Sequence, residues 1–424
     1  MNLVIDCFKQ VKGAGKSIGI YNLALSITRH LGERVQEQMK AQEESGRRAG
    51  GESGIGPDEN GGRKWNGSNG ERTGRNSGGE QDTIIVLGNA YNREEFDVPG
   101  VTFVEVDGNP LNKLYCVLWE LWLVKKYAAN YQADRVLFPR GYRPISRNGN
   151  IGKCKGGRKI RDTIIIHDLI PFYYDKHYPG FFNKLENAYI MSRLKTSMKK
   201  AGRIITISEA SRKDILDKVP GCGGKIAVIN NGLNDVSFDR KREGLAGGNG
   251  GGPYIVAMTS TLPHKNAKGV LKAYEEYYKK AEKPLRLVVI GIENTSLYKE
   301  MEKEAAAHVT CHKFFQGFDE VCRVVSGARA YLFLSYVEGF GFPPLEAMQL
   351  GVPVVCSGRS SLPEIVQDAG ILVEPDDLGA VANALINVTE KEEVREELIE
   401  KGYRNIQRFS WDSRTELYWK ELFE

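Results

Sequence analysis

Long hydrophobic runs are missing from this chain of 424 residues. No stretch of 18 or more apolar residues occurs, which argues against a membrane-spanning helix. The densest apolar stretch, LYCVLWELWLV at 114–124, is interrupted by Glu120. The N-terminal run carries Asp6 and then Lys and Gly, so no signal peptide is predicted. The seven cysteines are dispersed and form no CxxC pair, a usage that fits reduced thiols and a cytoplasmic protein better than a disulfide framework. The six histidines are scattered and no DxD occurs, so no metal site is expected. Neither charge sign dominates. Lys plus Arg is 59 and Asp plus Glu is 54, a net charge of +5 that is too small for this length to argue for a nucleic-acid partner. That weak excess is compatible with anionic small molecules or with peripheral contact at an anionic membrane face.

Two segments lack the apolar residues needed for a core. Residues 46–79 hold 12 Gly and only Ala49, Ile55 and Trp65 as apolar residues, which predicts a disordered insertion. Residues 240–252, with six Gly, read as a flexible linker or loop. Elsewhere short apolar runs alternate with amphipathic stretches. Strands are predicted at 2–7, 83–87, 101–106, 135–138, 163–167, 203–207, 226–229, 254–259, 285–290, 311–316, 330–335 and 353–356. Helices are predicted at 17–31, 111–131, 184–200, 208–218, 266–280, 295–307, 343–350 and 376–388. Several strands are continuous Ile/Val-rich runs, the mark of parallel strands buried on both faces. The alternation predicts an α/β fold of two Rossmann-like, doubly wound domains facing each other across a cleft. The boundaries read as 1–236 for the first domain, 237–252 for the linker, 253–409 for the second domain and 410–424 for a C-terminal helix.

The most informative stretch is SYVEGFGFPPLEAMQLGVPVV, 335–355. A strand ends at Ser335, a glycine loop (Glu338-Gly339-Phe340-Gly341) follows, and Pro343-Pro344 open a helix, where Pro is tolerated. A glycine loop feeding a helix start suits a phosphate, because free N–H groups and the helix dipole both favour an anion. Glu338 and Glu346, eight residues apart, can both reach one ligand, and carboxylates accept hydrogen bonds from sugar hydroxyls. The same pattern also fits a buried strand–turn–helix with solvated glutamates.

EGFGFPPLEAM resembles the E-x7-E signature of retaining GT-B glycosyltransferases of glycosyltransferase family 4 (glycosyl transferases group 1). SGRSSLPEIVQDAGILVEPDD (357–377), YIVAMTSTLPHKNAKGVLKAYEEY (254–277), IHDLIPF (166–172), ITISEASRKDI (205–215) and VINNGLN (228–234) are similar to family segments in order and spacing. The resemblance covers about residues 83–420. It implies a GT-B architecture and transfer of a hexose from a nucleotide-diphosphate sugar to a saccharide or lipid-linked acceptor in polysaccharide or glycan biosynthesis. The EGFGFPPLEA form leans toward mannose- or rhamnose-like sugars. No cofactor beyond the donor is implied.

The resemblance also implies roles. Glu346 would bind the ribose hydroxyls and Glu338 hydroxyls of the transferred sugar. Gly339, Phe340 and Gly341 would face the diphosphate or the sugar, and Lys265 would neutralise the diphosphate. His167, after the strand 163–167, would contact the donor sugar. His264 stands where the family often has a second basic residue, a departure in the cationic contacts. Ser208 reads first as a helix N-cap, and Asn230-Asn231-Gly232 as a turn at the domain junction. The run Lys12-Gly13-Ala14-Gly15-Lys16-Ser17 imitates a nucleotide-binding P-loop, but Gln10 stands where that motif needs Gly. Gly13 and Gly15 instead fit a glycine turn after the first strand, lining the cleft near acceptor and phosphates. The helix within Leu111–Tyr131 reads as amphipathic core packing, or as an interfacial face for lipid or a lipid-linked acceptor on the inner side of a membrane. Two rival readings share the fold: a phosphorylase using free phosphate, and a catalytically silent scaffold.

Overall fold

The computed structural model describes residues 1–12, 18–50, 82–145, 151–154, 157–236, 252–293 and 300–424. The turn with Gly13 and Gly15, residues 51–79 of the predicted insertion and residues 237–251 of the predicted linker lie outside the described residues.

Thirteen strands form among the described residues. The first seven are β1 (Asn2–Asp6), β2 (Thr83–Gly88), β3 (Val101–Glu105), β4 (Arg135–Phe138), β5 (Arg161–Ile166), β6 (Arg203–Thr206) and β7 (Ile226–Val228), strands of one seven-stranded sheet. The other six are β8 (Tyr254–Met258), β9 (Arg286–Ile290), β10 (Val309–His312), β11 (Ala330–Phe333), β12 (Val354–Ser357) and β13 (Gly370–Val373), in the order β10-β9-β8-β11-β12-β13. The pairings between them are parallel, with Leu3 opposite both Ile84 and Arg135, and Ile255 opposite both Leu287 and Ala330. The chain packs as two compact units. One is Met1–Pro139 with Arg143–Asp162 and Trp419–Glu424; the other is Arg140–Tyr142 with Thr163–Tyr418.

The strand sequences explain the layering. Leu3, Val4 and Ile5 are fully buried, as are Leu287 and Val289, so the unbroken apolar runs have cover on both faces. In the six-stranded sheet, Ile255, Ala257, Leu287, Val289, Leu332 and Leu334 pack with Val270, Tyr274 and Tyr277 of helix Ala267–Lys280 and with Val381, Leu385 and Val388 of helix Leu378–Glu390. Each such aliphatic side chain contributes about 1.5–3 kcal/mol on burial, and the resulting slab holds the ends of β8 and β11 in place. In the first unit, Trp419 lies under the Arg34 guanidinium, 4.6 Å from the ring centre, and Glu421 O accepts from Arg135.

Some expectations are corrected. The first helix runs from Ile18 to Gly50, so residues 46–50 are helical and not part of a disordered insertion. The sequence GERVQEQMKAQEES continues with good helix formers well past the apolar stripe, which carries the helix beyond residue 31. The predicted strand 311–316 is β10, Val309–His312. Of the predicted helix 295–307, the described part is Lys303–Ala307. Unpredicted elements are β13 and the helices Arg93–Phe96, Ile170–His177, Phe318–Ser326, Leu362–Val366 and Glu392–Ile406. The stretch 111–131 is a helix interrupted by a π turn at Trp119–Leu123. Trp119 is fully buried, but Leu111, Leu114 and Trp122 are 51%, 69% and 60% exposed, so core packing accounts for only one face.

Candidate functional site

Five segments of the second unit meet at the carboxyl ends of their strands. The first is the turn after β8. Pro263–Lys265 forms a short 3-10 turn, Thr259 Oγ1 donates to Lys265 O at 2.7 Å, and Asn266 takes the left-handed conformation at φ +55°. Asn tolerates that region better than most residues. Asn266 Oδ1 accepts the Gly269 N–H at 3.0 Å, capping helix Ala267–Lys280, while its Nδ2 donates to Leu334 O at 3.2 Å. The turn is thereby fixed to the end of β11, with Lys265 projecting from it.

The second segment is the loop after β11. Gly341, at φ +130°, turns the chain into helix Phe342–Gln349, whose prolines fall in the first turn where no intrahelical donor is lost. The third segment, after β12, clamps this loop. Ser360 Oγ donates to Glu338 O at 2.8 Å, Ser361 Oγ donates to it at 3.0 Å and also reaches Phe340 O, and the Glu338 N–H points at Ser360 Oγ at 3.3 Å. The fourth and fifth segments follow β5 and β6. Ser208 Oγ accepts the Ser211 N–H at 3.1 Å, so Ser208 is the expected cap; it also donates to Gly339 O at 2.8 Å. Gly339 lies against His167 O so closely that a Cβ there would come within 2.7 Å of it.

The charges then fall into place. Lys265 Nζ donates to Glu338 Oε1 at 2.6 Å, and both side chains are mostly covered. Asp168 accepts the Ile170 N–H at 3.0 Å. Its carboxyl is pushed above the usual carboxylate range by desolvation, with Glu338 acting in the same direction and Lys265 against it. Gly339, Phe340 and Gly341 are buried, and among the described residues no acceptor pairs with their three consecutive backbone N–H groups. Buried amides without acceptors are rare in folded chains, and these three follow directly on Glu338, the partner of Lys265.

His264 resolves the departure from the family pattern. Its Nδ1 is 2.7 Å from Tyr174 Oη, it is buried, and its carbonyl accepts the Tyr336 N–H at 2.8 Å. Burial, and then the neighbouring Lys265 charge, push the imidazole down to about 4. It is a neutral spacer at ordinary pH and supplies no positive charge to a phosphate.

Glu346 stands apart. It lies on helix Phe342–Gln349, half-buried, and its carboxyl has no hydrogen-bonding partner among the described residues. Desolvation alone raises its carboxyl to about 7. The structure thus brings His167, Lys265, Glu338 and Gly339 together, with Phe340 and Gly341 on the same loop and Glu346 on the helix that follows. The clamping roles of Ser360 and Ser361, the grip of Tyr174 on His264 and the burial of Asp168 were not visible in the sequence. SGRSSLPE was legible as a segment, but hydroxyl-to-carbonyl bonds across 22 and 23 residues leave no local signal. Among the described residues, no group of three His, Cys, Asp or Glu side chains is arranged to hold a metal, and no helix is long and apolar enough to cross a membrane.

Two parallel sheets flanked by helices, with a lysine–glutamate pair at a glycine loop that opens a helix, define a glycosyltransferase of the GT-B type. Residues 80–236 match the Glycosyltransferase Family 4 model and residues 240–405 match Glycosyl transferases group 1. The chain belongs to this family. It is 27% identical over 269 residues to the O-antigen chain mannosyltransferase B of Escherichia coli, covering 61% of this chain and 69% of that protein. The fold is shared with sucrose-phosphate synthase from Thermosynechococcus elongatus, at TM-score 0.64 and 16% identity over 99% of this chain and 98% of that one. It is shared also with Anabaena Alr3699/HepE, solved in complex with UDP and glucose, at TM-score 0.59 and 16% identity over 100% and 99%.

Proposed function

We propose that this chain is a retaining hexosyltransferase that takes its sugar from a nucleotide-diphosphate donor and passes it to a saccharide or lipid-linked acceptor in glycan biosynthesis. The observation that carries this reading is the Lys265 ammonium at the Glu338 loop, beside the three unpaired amides of Gly339, Phe340 and Gly341. Together they offer positive charge and N–H donors where the diphosphate of the donor would lie. As the bond between the sugar C1 and the phosphate oxygen breaks, negative charge grows on the departing nucleoside diphosphate, and fixed donors already aimed there stabilise it. Glu346, lacking a protein donor, is suited to accept the two ribose hydroxyls. Glu338 and His167 are suited to hold the sugar, which aligns C1 with the acceptor hydroxyl. Retention means that this hydroxyl arrives on the face the diphosphate leaves; the resemblance of EGFGFPPLEAM to the signature of retaining enzymes supports it.

Similarity to an O-antigen mannosyltransferase supports a mannose-like sugar and a polysaccharide acceptor. The exposed Leu111, Leu114 and Trp122, with Lys126 exposed on the same stretch, support peripheral contact with the inner membrane face, where a lipid-linked acceptor would be met. No metal or further cofactor enters the reading, and the protein is taken as cytoplasmic.

A thermal-shift panel of UDP, GDP, ADP and dTDP tests the donor class, because a ligand that binds only the native state raises its stability. Transfer from the matching nucleotide sugar, with the anomeric proton of the product read by NMR, then tests retention. Phosphate-dependent cleavage of the product would identify a phosphorylase instead, and the absence of both binding and turnover a silent scaffold.

A further inference from the structure

We propose that Glu338 is an internal stand-in for the donor diphosphate: it neutralises Lys265 in the donor-free site, and the diphosphate must displace it. This rests on the donor-site reading above. Diphosphate binding and the release of Glu338 toward the sugar hydroxyls then become one event.

The geometry supports an exchange confined to side chains. Lys265 Nζ donates to Glu338 Oε1 at 2.6 Å, with the two side chains 24% and 12% exposed, so the pair is formed and largely shielded from competing water. The backbones on both sides are fixed. Ser360 and Ser361 hold the Glu338 carbonyl, and Thr259 and Asn266 hold the turn that carries Lys265. A lysine ammonium is a compact charge with three donors on a flexible stem, and it can turn from a carboxylate to a phosphate without moving the chain. Asp168 places a second carboxyl beside the pair, while the Gly339, Phe340 and Gly341 amides supply donors but no mobile charge.

The consequence is quantitative. A ligand whose binding-competent state is only partly populated binds more weakly by that fraction. While Glu338 holds Lys265, only the minority with a free ammonium is competent. Removing the carboxylate therefore strengthens nucleoside diphosphate binding, even though it harms transfer. This is opposite to the expectation for a residue whose only role is to contact the donor.

The test is calorimetric titration with whichever of UDP, GDP, ADP and dTDP binds wild type most tightly. The proteins are wild type, Glu338→Gln, Lys265→Ala and the double variant. Glu338→Gln is expected to bind about three- to tenfold tighter, as for loss of a competitor that occupies most of the lysine. Lys265→Ala is expected to bind at least about tenfold weaker, as for loss of a charged contact, and the double variant to match Lys265→Ala. Glu338→Ala serves as a second variant if the Gln form does not fold. If Lys265→Ala weakens binding but neither Glu338 variant tightens it, or if tightening persists without Lys265, the stand-in role is wrong and the donor site stands. If Lys265→Ala binds like wild type, or no nucleoside diphosphate binds at all, the donor-site reading fails.

Discussion

The Glu364 carboxylate receives the backbone N–H groups of Glu209, at 2.8 Å, and of Ala210, at 3.4 Å. It thus sits at the start of helix Glu209–Lys218. Asn230 Nδ2 reaches the same carboxylate at 3.2 Å. Glu364 comes from the short helix that follows Ser360 and Ser361, and Ser208, the adjacent cap, holds Gly339 O. One anion placed at a helix N-terminus therefore ties the segment after β6 to the segment after β12, and both grip the candidate donor loop.

Replacing Glu364 by Gln removes the charge and keeps the shape. The helix start loses a charged acceptor, a change of about 1–2 kcal/mol. Chemical denaturation is expected to show a lower midpoint with an unchanged slope, and donor KM is expected to rise because the Gly339 loop loses a neighbour's support. An unchanged midpoint would mean that the carboxylate is solvated and holds nothing.

Gly339→Ala forces a Cβ to within 2.7 Å of His167 O and 3.2 Å of the Asp168 Cβ. The first neighbour is backbone and cannot swing aside, so the loop has to shift. Overpacking of this kind costs about 1–3 kcal/mol, and turnover should fall by more than an order of magnitude because the shift occurs at the donor site. Gly224→Ala, where an added Cβ meets nothing within 4 Å, is the control and should leave both stability and turnover unchanged.

Desolvation raises the Glu346 carboxyl to about 7. Its neighbours Tyr331 and Cys322 are themselves held neutral by burial and supply no compensating charge. Ribose hydroxyls are donors and favour the ionised carboxylate, so binding lowers its pKa. Nucleotide affinity should accordingly rise with pH up to and through 7, then level off, and Glu346→Gln should flatten that dependence. The effect on stability has the opposite sign. A carboxyl raised on folding holds its proton longer than in the unfolded chain, so its contribution declines as pH climbs from the ordinary carboxylate range toward 7. An affinity that falls with pH in this window would exclude an ionised Glu346 as the ribose acceptor.

The parts of the fold set by local pattern were legible. Strands such as TIIVLG and RLVVI are continuous apolar runs that parallel burial demands, and Asn266 and Ser208 are residue types that cap helices. Less was legible where the pattern is weak. β13 is a four-residue edge strand beginning at Gly370, with only Val373 buried. Helix Glu392–Ile406 is dominated by charge and buries only Leu398, Gly402 and Asn405. Glu338, Glu346 and Lys265 stood out in ordered motifs, and Lys265 and Glu338 pair in the structure. The Tyr174–His264 bond joins residues 90 apart, and the neutrality of His264 follows from burial that no local window reveals.

Steady-state kinetics of wild type, Glu338→Gln and Glu346→Gln at saturating acceptor, with circular dichroism confirming the fold, examine the donor site most directly. A ribose contact present in both ground and transition states predicts that Glu346→Gln raises donor KM with little change in kcat. A sugar contact that aligns the breaking bond predicts that Glu338→Gln lowers kcat. The reverse split would exchange the roles of the two carboxylates, and wild-type behaviour in both variants would contradict a donor site built on Lys265, Glu338 and Glu346.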